Sequence, residues 1–172
     1  IMSSQNSITL GEGNTPLIKI DSIYFKCEFK NPTGSHKDRA FAYQISQLSK
    51  KGIERAVISS SGNSAISAAR YCKIAGIDLH IFVSGKINGK KLKILEDLGC
   101  KISITQKPVS EAFKYGRKLN AYNLRQSRDP NAPVGYQDIA AEIIKEGIIP
   151  DGVFVPVISG TAAVGISMGF EK

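Results

Sequence analysis

Features of several common functional classes are missing from this 172-residue sequence. No apolar run approaches the roughly 20 residues that a membrane-spanning helix needs, and residues 1–10 do not have the pattern of a signal peptide. The three cysteines, Cys27, Cys72 and Cys100, are odd in number and far apart, and none belongs to a CxxC pair. They predict neither a disulfide framework nor a zinc site, and they favour a reduced, cytoplasmic setting.

Metal-binding, nucleotide-binding and hydrolase signatures are also missing or incomplete. The two histidines, His36 and His80, show no paired ligand spacing, so we expect no metal site. There is no G-x-x-x-x-G-K-S/T motif, and the G-x-G of residues 11–13 follows no strand pattern. Residues 165–169 match the G-x-S-x-G of serine hydrolases. No strand pattern leads into them, however, and no histidine follows, which argues against a hydrolase.

Acidic residues are few relative to basic ones, which gives a formal net charge of +8. Lysines are concentrated in residues 86–101, but Leu92, Leu95 and Leu98 recur there at helical spacing. We therefore expect these lysines on the solvated face of an amphipathic helix. Without aromatic or arginine-rich neighbours the cluster does not predict a nucleic-acid surface. The positive charge is also compatible with small molecules that carry phosphate.

Strand and helix patterns alternate along the chain, which predicts an α/β fold with parallel sheets and flanking helices. The stretch 126–133 contains two prolines and few apolar residues, and it is interpreted as a surface loop. Strands are expected at 18–20, 23–29, 56–59, 79–83, 101–105 and 153–158. Helices are expected at 37–49, 64–75, 109–119 and 136–146, with a lysine-rich helix ending near 98.

The most informative segment is Asn31-Pro32-Thr33-Gly34-Ser35-His36-Lys37-Asp38-Arg39. Lys37 follows a turn and opens a helix pattern. There the unpaired amides and the helix dipole disfavour a second positive charge. Its ammonium group should therefore lose a proton more readily than usual, and a neutral amine can form a Schiff base with an aldehyde. Asp38 and Arg39 are interpreted as a charge pair in the first helical turn.

Three further segments place small polar residues at turns: Gly11-Glu12-Gly13-Asn14-Thr15-Pro16-Leu17, Ser60-Ser61-Gly62-Asn63-Ser64 and Pro156-Val157-Ile158-Ser159-Gly160-Thr161. The second lies at a strand-to-helix junction, where backbone amides suit an anion. The third follows an expected strand and opens a helix, a geometry that can surround a phosphate with amides. A loop asparagine and a plain helix N-cap remain open as simpler interpretations of Asn63 and of Ser159-Gly160-Thr161-Ala162.

Taken together and in this order, the four segments resemble those of pyridoxal-phosphate-dependent enzymes of fold type II, the tryptophan synthase β family. The lysine segment is most similar to that of threonine synthases. The resemblance implies that Lys37 holds pyridoxal 5'-phosphate and moves protons, and that Asn63 hydrogen-bonds the cofactor ring oxygen. It also implies a phosphate loop of Ser159, Gly160, Thr161 and Ala162, although Ile158 stands where a glycine is usual. Substrate carboxylate binding is implied for Ser60, Ser61, Gly62 and Ser64.

The implied reaction is the conversion of O-phosphohomoserine and water to threonine and phosphate. One departure leaves the substrate open: Ala132-Pro133-Val134 precede Gly135, whereas threonine synthases often carry an arginine there. Arg125 or Arg128 could substitute for it. Alternatively, the enzyme could act on another amino acid, such as phosphoserine or diaminopropionate. Cysteine synthase, ammonia-lyase and dehydratase activities are the alternative reactions.

The resemblance also implies a two-domain organisation. Residues 1–51 and 134–172 would belong to a cofactor-holding domain, and residues 52–133 would form a smaller, mobile α/β domain. Enzymes of this family continue well past the point that matches Lys172, so the chain is interpreted as an N-terminal portion. It could form a homodimer or associate with a C-terminal portion. A non-catalytic half-domain that binds a ligand or partner is the alternative from another functional class.

Overall fold

Strands and helices alternate through most of the computed structural model, which describes residues 7–172. The strands are β1 (Leu17–Ile20), β2 (Ile23–Lys26), β3 (Arg55–Ser59), β4 (Asp78–Val83), β5 (Lys101–Ile104) and β6 (Tyr122–Asn123). The α-helices are α1 (Lys37–Lys50), α2 (Asn63–Ala75), α3 (Gly89–Asp97), α4 (Pro108–Leu119), α5 (Gln137–Lys145) and α6 (Thr161–Phe170). Short 3₁₀ helices span Glu28–Lys30, Gln126–Arg128 and Val134–Tyr136. The expected α/β fold is confirmed.

A four-stranded parallel sheet in the order β5-β4-β3-β6 forms the central layer. Val57 in β3 is aligned with His80 in β4 on one side and with Asn123 in β6 on the other. Because all four strands run in the same direction, the segments that follow them meet at one edge of the sheet. Those segments include the asparagine loop, residues 60–64, after β3 and the 3₁₀ helix Gln126–Arg128 after β6.

The largest core lies between this sheet and the helices α1 and α2. Ile81 in the sheet is fully buried, as are Phe41 and Ile45 of α1. Helix α2 contributes small side chains such as Ala68, which allow α1 and α2 to pack closely. The central strands β3 and β4 bury apolar residues on both faces because helices cover both sides, as is typical of parallel sheets.

A second core joins α1 to α5 and α6 through Ala40, Tyr136, Ile139 and Ile166. Gly135 permits this packing, because a Cβ at that position would lie only 2.3 Å from the backbone oxygen of Arg39. The 3₁₀ helix Val134–Tyr136 therefore lies directly against the first turn of α1. As a result, Tyr136 is buried next to the lysine segment.

The structure corrects the expectations for three segments. Residues 153–158 form no strand. Phe154 and Ile158 are almost fully exposed, and no described backbone lies alongside the segment to complete a ladder. The second expected strand stops at Lys26, where the chain turns into a 3₁₀ helix instead of reaching Phe29.

The third correction concerns residues 126–133, which were expected to form a surface loop and do so only in part, because Ser127, Arg128 and Pro130 are exposed while other residues are buried. Gln126 and Asp129 are buried, and Ala132 is completely inaccessible. Prolines and polar residues can turn inward when their polar atoms find partners, and here a chain of side-chain hydrogen bonds provides them. The short strand β6, which precedes the segment, was not predicted because a two-residue strand carries no periodicity.

Within residues 7–172, no helix combines the length and apolar composition that a bilayer crossing requires. Cys27, Cys72 and Cys100 are all free thiols.

Candidate active site

Lys37 is the first residue of α1, and its side chain extends into a partly buried polar pocket. Its Nζ lies 3.2 Å from the hydroxyl oxygen of Tyr136 and 3.3 Å from Oε1 of Gln126. Burial lowers the pKa of this amine from its ordinary value. The direction agrees with the sequence-based expectation, and the cause that the structure shows is burial of the amine.

Asp38 holds the turn that presents Lys37. This carboxylate is completely buried and accepts hydrogen bonds from the backbone N–H of Thr33 at 2.7 Å and from the hydroxyl of Thr33. It also accepts one from the hydroxyl of Ser67 in α2 at 2.6 Å. The interpretation of Asp38 and Arg39 as a charge pair is wrong, because successive helical side chains point in different directions and the two find separate partners.

Arg39 is the centre of a separate, largely buried ion-pair cluster. Its guanidinium donates to both oxygens of Glu28, at 2.6 and 2.7 Å, and to both oxygens of Glu142, at 2.7 and 2.9 Å. Glu142 also accepts from the backbone N–H of Asn14 at 2.8 Å. The cluster ties the N-terminal glycine motif and α5 to the turn that carries Lys37.

The segment expected to bind phosphate shares a cleft with Lys37. Residues lining this cleft include Lys37 and His36 on one side and Ser159, Gly160 and Ala162 on the other. Gly160 has a positive φ of 76°, which favours glycine, and it precedes α6 without a side-chain cap. The first amides of α6 are therefore available to an anion. Thr161 is buried, and its hydroxyl lies 3.0 Å from that of Ser159.

The asparagine loop lies at the carboxyl end of β3 and leads into α2. Asn63 is the first residue of that helix, and its Oδ1 accepts a hydrogen bond from Nζ of Lys91 at 3.1 Å. Ser60 accepts one from the backbone N–H of Gly62 at 3.3 Å. In the described part of the chain, residues 60–64 do not line the Lys37 cleft. They stand at the same sheet edge as Gln126, which does contact the lysine.

Sequence reasoning missed the two residues that contact the Lys37 amine. Gln126 lies in the segment taken for a surface loop, and Tyr136 was assigned to the start of a helix without any site role. No motif marks either one, because their proximity to Lys37 depends on how distant segments fold together. Neither proposed substitute for the missing arginine contacts Lys37: Arg125 bonds Ser127, and Arg128 lies over the ring of Phe113.

Comparison with known proteins identifies the class to which this fold and cleft belong. The family model described as "Pyridoxal-phosphate dependent enzyme" matches residues 8–172, so the chain belongs to this family. Pyridoxal phosphate is the cofactor of the family, as the lysine segment implied.

Among curated proteins, the chain is similar to the threonine synthase of Halalkalibacterium halodurans, with 29% identity covering 96% of the chain and 50% of that enzyme. Similarity to the threonine synthase of a Bacillus species is 32% identity over 87% of the chain and 46% of the enzyme. The cystathionine beta-synthase of Apis mellifera is 31% identical over 78% of the chain and 32% of that protein. The chain thus spans about half the length of the threonine synthases it matches.

Solved structures support the fold. O-ureido-L-serine synthase superimposes with a TM-score of 0.84 at 20% identity, covering 96% of this chain and 57% of that one. A hydrogen sulfide-producing enzyme from Fusobacterium nucleatum gives a TM-score of 0.81 at 23% identity, covering 92% of this chain and 60% of that one. At such identities the likeness establishes the fold type II architecture but not the reaction.

Proposed function

We propose that this chain acts in a pyridoxal-phosphate-dependent lyase of the threonine synthase type, which converts O-phosphohomoserine and water to threonine and phosphate. The observation that carries the proposal is the shared cleft, which Lys37 lines together with Gly160 and Ala162 at the uncapped start of α6. The similarity to threonine synthases over most of the chain supports the choice of reaction.

The residues around the cleft fit the family's cofactor. A phosphate ester needs converging N–H donors and close backbone approach, which Gly160 and the first turn of α6 supply. An aldehyde needs a nearby amine that is partly neutral at working pH, and burial lowers the pKa of Lys37 in that direction. His36, which lines the same cleft, has a pKa lowered to about 4 by burial and by the neighbouring Lys37 charge. It therefore adds no positive charge near neutral pH.

Each of the chain's own residues has a distinct role in this proposal. When bound, the cofactor supplies an electron sink for charge that develops at the substrate α-carbon. Lys37 holds the cofactor and, once free, takes the proton from that carbon. Ser159, Gly160, Thr161 and Ala162 hold the cofactor phosphate. Asn63 donates to the ring oxygen, and the amides and hydroxyls of Ser60, Ser61, Gly62 and Ser64 bind the substrate carboxylate.

A second reaction of the same family is the main alternative. The segment Ala132-Pro133-Val134 lacks the arginine that threonine synthases often carry, and both Arg125 and Arg128 are exposed. A substrate other than O-phosphohomoserine, such as phosphoserine or diaminopropionate, would be consistent with that difference. The similarity to a cystathionine beta-synthase also favours keeping β-replacement open. The alternative that is not an enzyme is a non-catalytic half-domain, which would bind a ligand or partner without turnover.

The domain organisation and cellular setting belong to the same proposal. Residues 1–51 and 134–172 would hold the cofactor, while residues 52–133 would move to close on the substrate. The chain would form a homodimer or associate with a C-terminal portion. The three free thiols are consistent with a cytoplasmic enzyme.

Substrate-dependent phosphate release would test the reaction. We would incubate the purified protein with pyridoxal phosphate and, separately, with O-phosphohomoserine, phosphoserine and diaminopropionate, measuring inorganic phosphate, ammonia and the amino-acid products. We expect phosphate and threonine from O-phosphohomoserine alone, and a rate lower by roughly 100-fold to 10,000-fold for Lys37→Ala. Phosphate from phosphoserine, or ammonia from diaminopropionate, would move the assignment to another reaction. No turnover of any substrate would support the non-catalytic half-domain.

A further inference from the structure

Lys37 lies at the end of a buried chain of polar side chains that joins three distant parts of the sequence. The hydroxyl of Tyr136 donates to Oε1 of Gln126 at 3.0 Å, and Lys37 donates to both of these groups. Tyr136 is completely inaccessible and Gln126 is buried. These contacts join α1, the 3₁₀ helix before α5, and the 3₁₀ helix after β6.

The orientation of the Gln126 side-chain amide is fixed by hydrogen bonds on the side away from Lys37. Its Nε2 donates to Oε1 of Gln44 at 3.4 Å, and Nε2 of Gln44 donates to Asp129 at 2.7 Å. A carboxylate has no proton to donate, so Gln44 turns its NH₂ group toward Asp129 and its oxygen toward Gln126. The carboxylate thereby sets the orientation of both amides. The oxygen of Gln126 therefore faces Lys37, and its nitrogen faces away. The hydroxyl of Tyr136, which donates its one proton to that oxygen, can only accept from the lysine.

The arrangement offers two acceptors and no donor to the lysine nitrogen. A free amine or ammonium has enough N–H groups to satisfy both acceptors at once. A lysine joined through its nitrogen to another molecule has at most one N–H left and would leave an acceptor unsatisfied. The pocket is therefore matched to the free side chain.

We propose that Tyr136 and Gln126 are positioning residues that hold the free amine of Lys37 in one place. The contacts of Tyr136 and Gln126 with Lys37 do not depend on any reaction, but their role in a reaction cycle rests on the proposed function. In that cycle Lys37 would be free of the cofactor while the substrate is bound. The two acceptors then keep the lysine beside the cleft, ready to accept or return a proton.

The titratable groups that face Lys37 do not compete for this role. His36, the preceding residue, is neutral near pH 7 because burial and the Lys37 charge lower its pKa to about 4. The hydroxyl of Tyr136 stays protonated because burial raises its pKa. Gln126 and the hydroxyl of Ser159 carry no charge. The nearest carboxylate in the polar chain, that of Asp129, acts through two intervening glutamines.

The proposal predicts opposite changes in the pKa of Lys37 for two substitutions at one position. Gln126→Met removes an acceptor of the ammonium form and should lower the pKa by about 0.5 to 1 unit. Gln126→Glu places a negative charge against the ammonium and should raise the pKa by about 1 unit or more. Tyr136→Phe should lower it, as Gln126→Met does. A purely structural role would not give shifts of opposite sign.

Competitive labelling of the protein without cofactor measures this pKa directly. Acetic anhydride would be applied from pH 6 to pH 11, and labelling of the Lys37 peptide would be followed by mass spectrometry. The exposed Lys90 serves as the internal reference. Tyr115→Phe is the matched control, because it also removes one tyrosine hydroxyl but lies against His80 and Phe82 in another part of the chain.

Two results would overturn the proposal: an unchanged Lys37 midpoint in all three variants, or shifts of the same sign in Gln126→Met and Gln126→Glu. Unfolding curves identify any variant that does not fold, in which case the remaining position decides. Because no pyridoxal phosphate is present, the result is independent of the proposed reaction. Failure of the reaction would appear instead as absent turnover by the unaltered protein with a normal Lys37 titration.

Discussion

Three consecutive ionisable side chains, at residues 37 to 39, are buried or partly buried, and each is stabilised by a different kind of partner. Lys37 faces two neutral acceptors, Asp38 receives neutral donors, and Arg39 is surrounded by carboxylates. A buried charge is costly unless it is paired or hydrogen-bonded. Of the three, only Arg39 meets an opposite charge, and burial lowers the pKa of the Lys37 amine.

Loss of the Arg39 guanidinium should destabilise the protein strongly. Arg39→Met would leave Glu28 and Glu142 partly buried without their principal cation, and we expect the free energy of unfolding at pH 7 to fall by about 3–5 kcal/mol. Arg39→Lys keeps the charge but not the bidentate geometry, so its free energy of unfolding should lie between those of the unaltered protein and Arg39→Met. Urea unfolding measures the difference. Lys93→Met, which removes an exposed i,i+4 pair with Asp97, should change stability by less than about 0.5 kcal/mol.

The same cluster sets a pH dependence with a definite sign. Burial alone would raise the pKa of Glu142, but hydrogen bonds from Arg39 and Lys26 more than offset it and lower the pKa from 4.5 to about 2. The stabilisation is therefore fully present above pH 4.5 and is lost as the pH falls toward 2. In Arg39→Met the decline across this interval should be shallower. An equally steep decline in the variant would contradict the assignment to this cluster.

At the scale of elements, the first turn of α1 is fixed by close backbone contact with the 3₁₀ helix Val134–Tyr136. Gly135→Ala would bring a Cβ within 2.3 Å of the Arg39 carbonyl oxygen and 2.8 Å of the Ala40 Cα. Because both are backbone atoms, we expect a loss of about 1–3 kcal/mol or more in the free energy of unfolding. Gly89→Ala, where no atom lies within 4 Å of the added Cβ, is the matched control. Equal unfolding midpoints for the two variants would contradict this packing.

Periodicity predicted most elements, because amphipathic helices and buried strands bury a regular set of side chains. Helix α1 was expected at 37–49 and spans Lys37–Lys50, and β4 was expected at 79–83 and spans Asp78–Val83. Prediction failed where a partner segment decides the structure. Residues 153–158 have strand-forming side chains but no described neighbour to pair with, and Gln126 and Asp129 turn inward because distant side chains satisfy their polar groups.

At the scale of the whole molecule, sequence motifs indicated the candidate cofactor-binding residues but not the residues that contact and position them. Lys37 and Ser159-Gly160-Thr161-Ala162 were singled out from short sequence patterns, and all of them except the buried Thr161 line one cleft. Gln126 and Tyr136 lie 89 and 99 residues away from Lys37 in sequence, so only the folded chain brings them to the amine. Substrate choice depends on side chains around the cleft that no local pattern specifies. It remains a proposal.

Covalent trapping of the cofactor tests the central claim most directly. Pyridoxal phosphate would be added to the purified protein and to Lys37→Ala, followed by borohydride reduction and peptide mapping. We expect one pyridoxyl group per chain, located on Lys37, and no site-specific adduct in Lys37→Ala. An adduct that is retained in Lys37→Ala, or that is spread over exposed lysines such as Lys90, would contradict the assignment of Lys37 as the cofactor lysine.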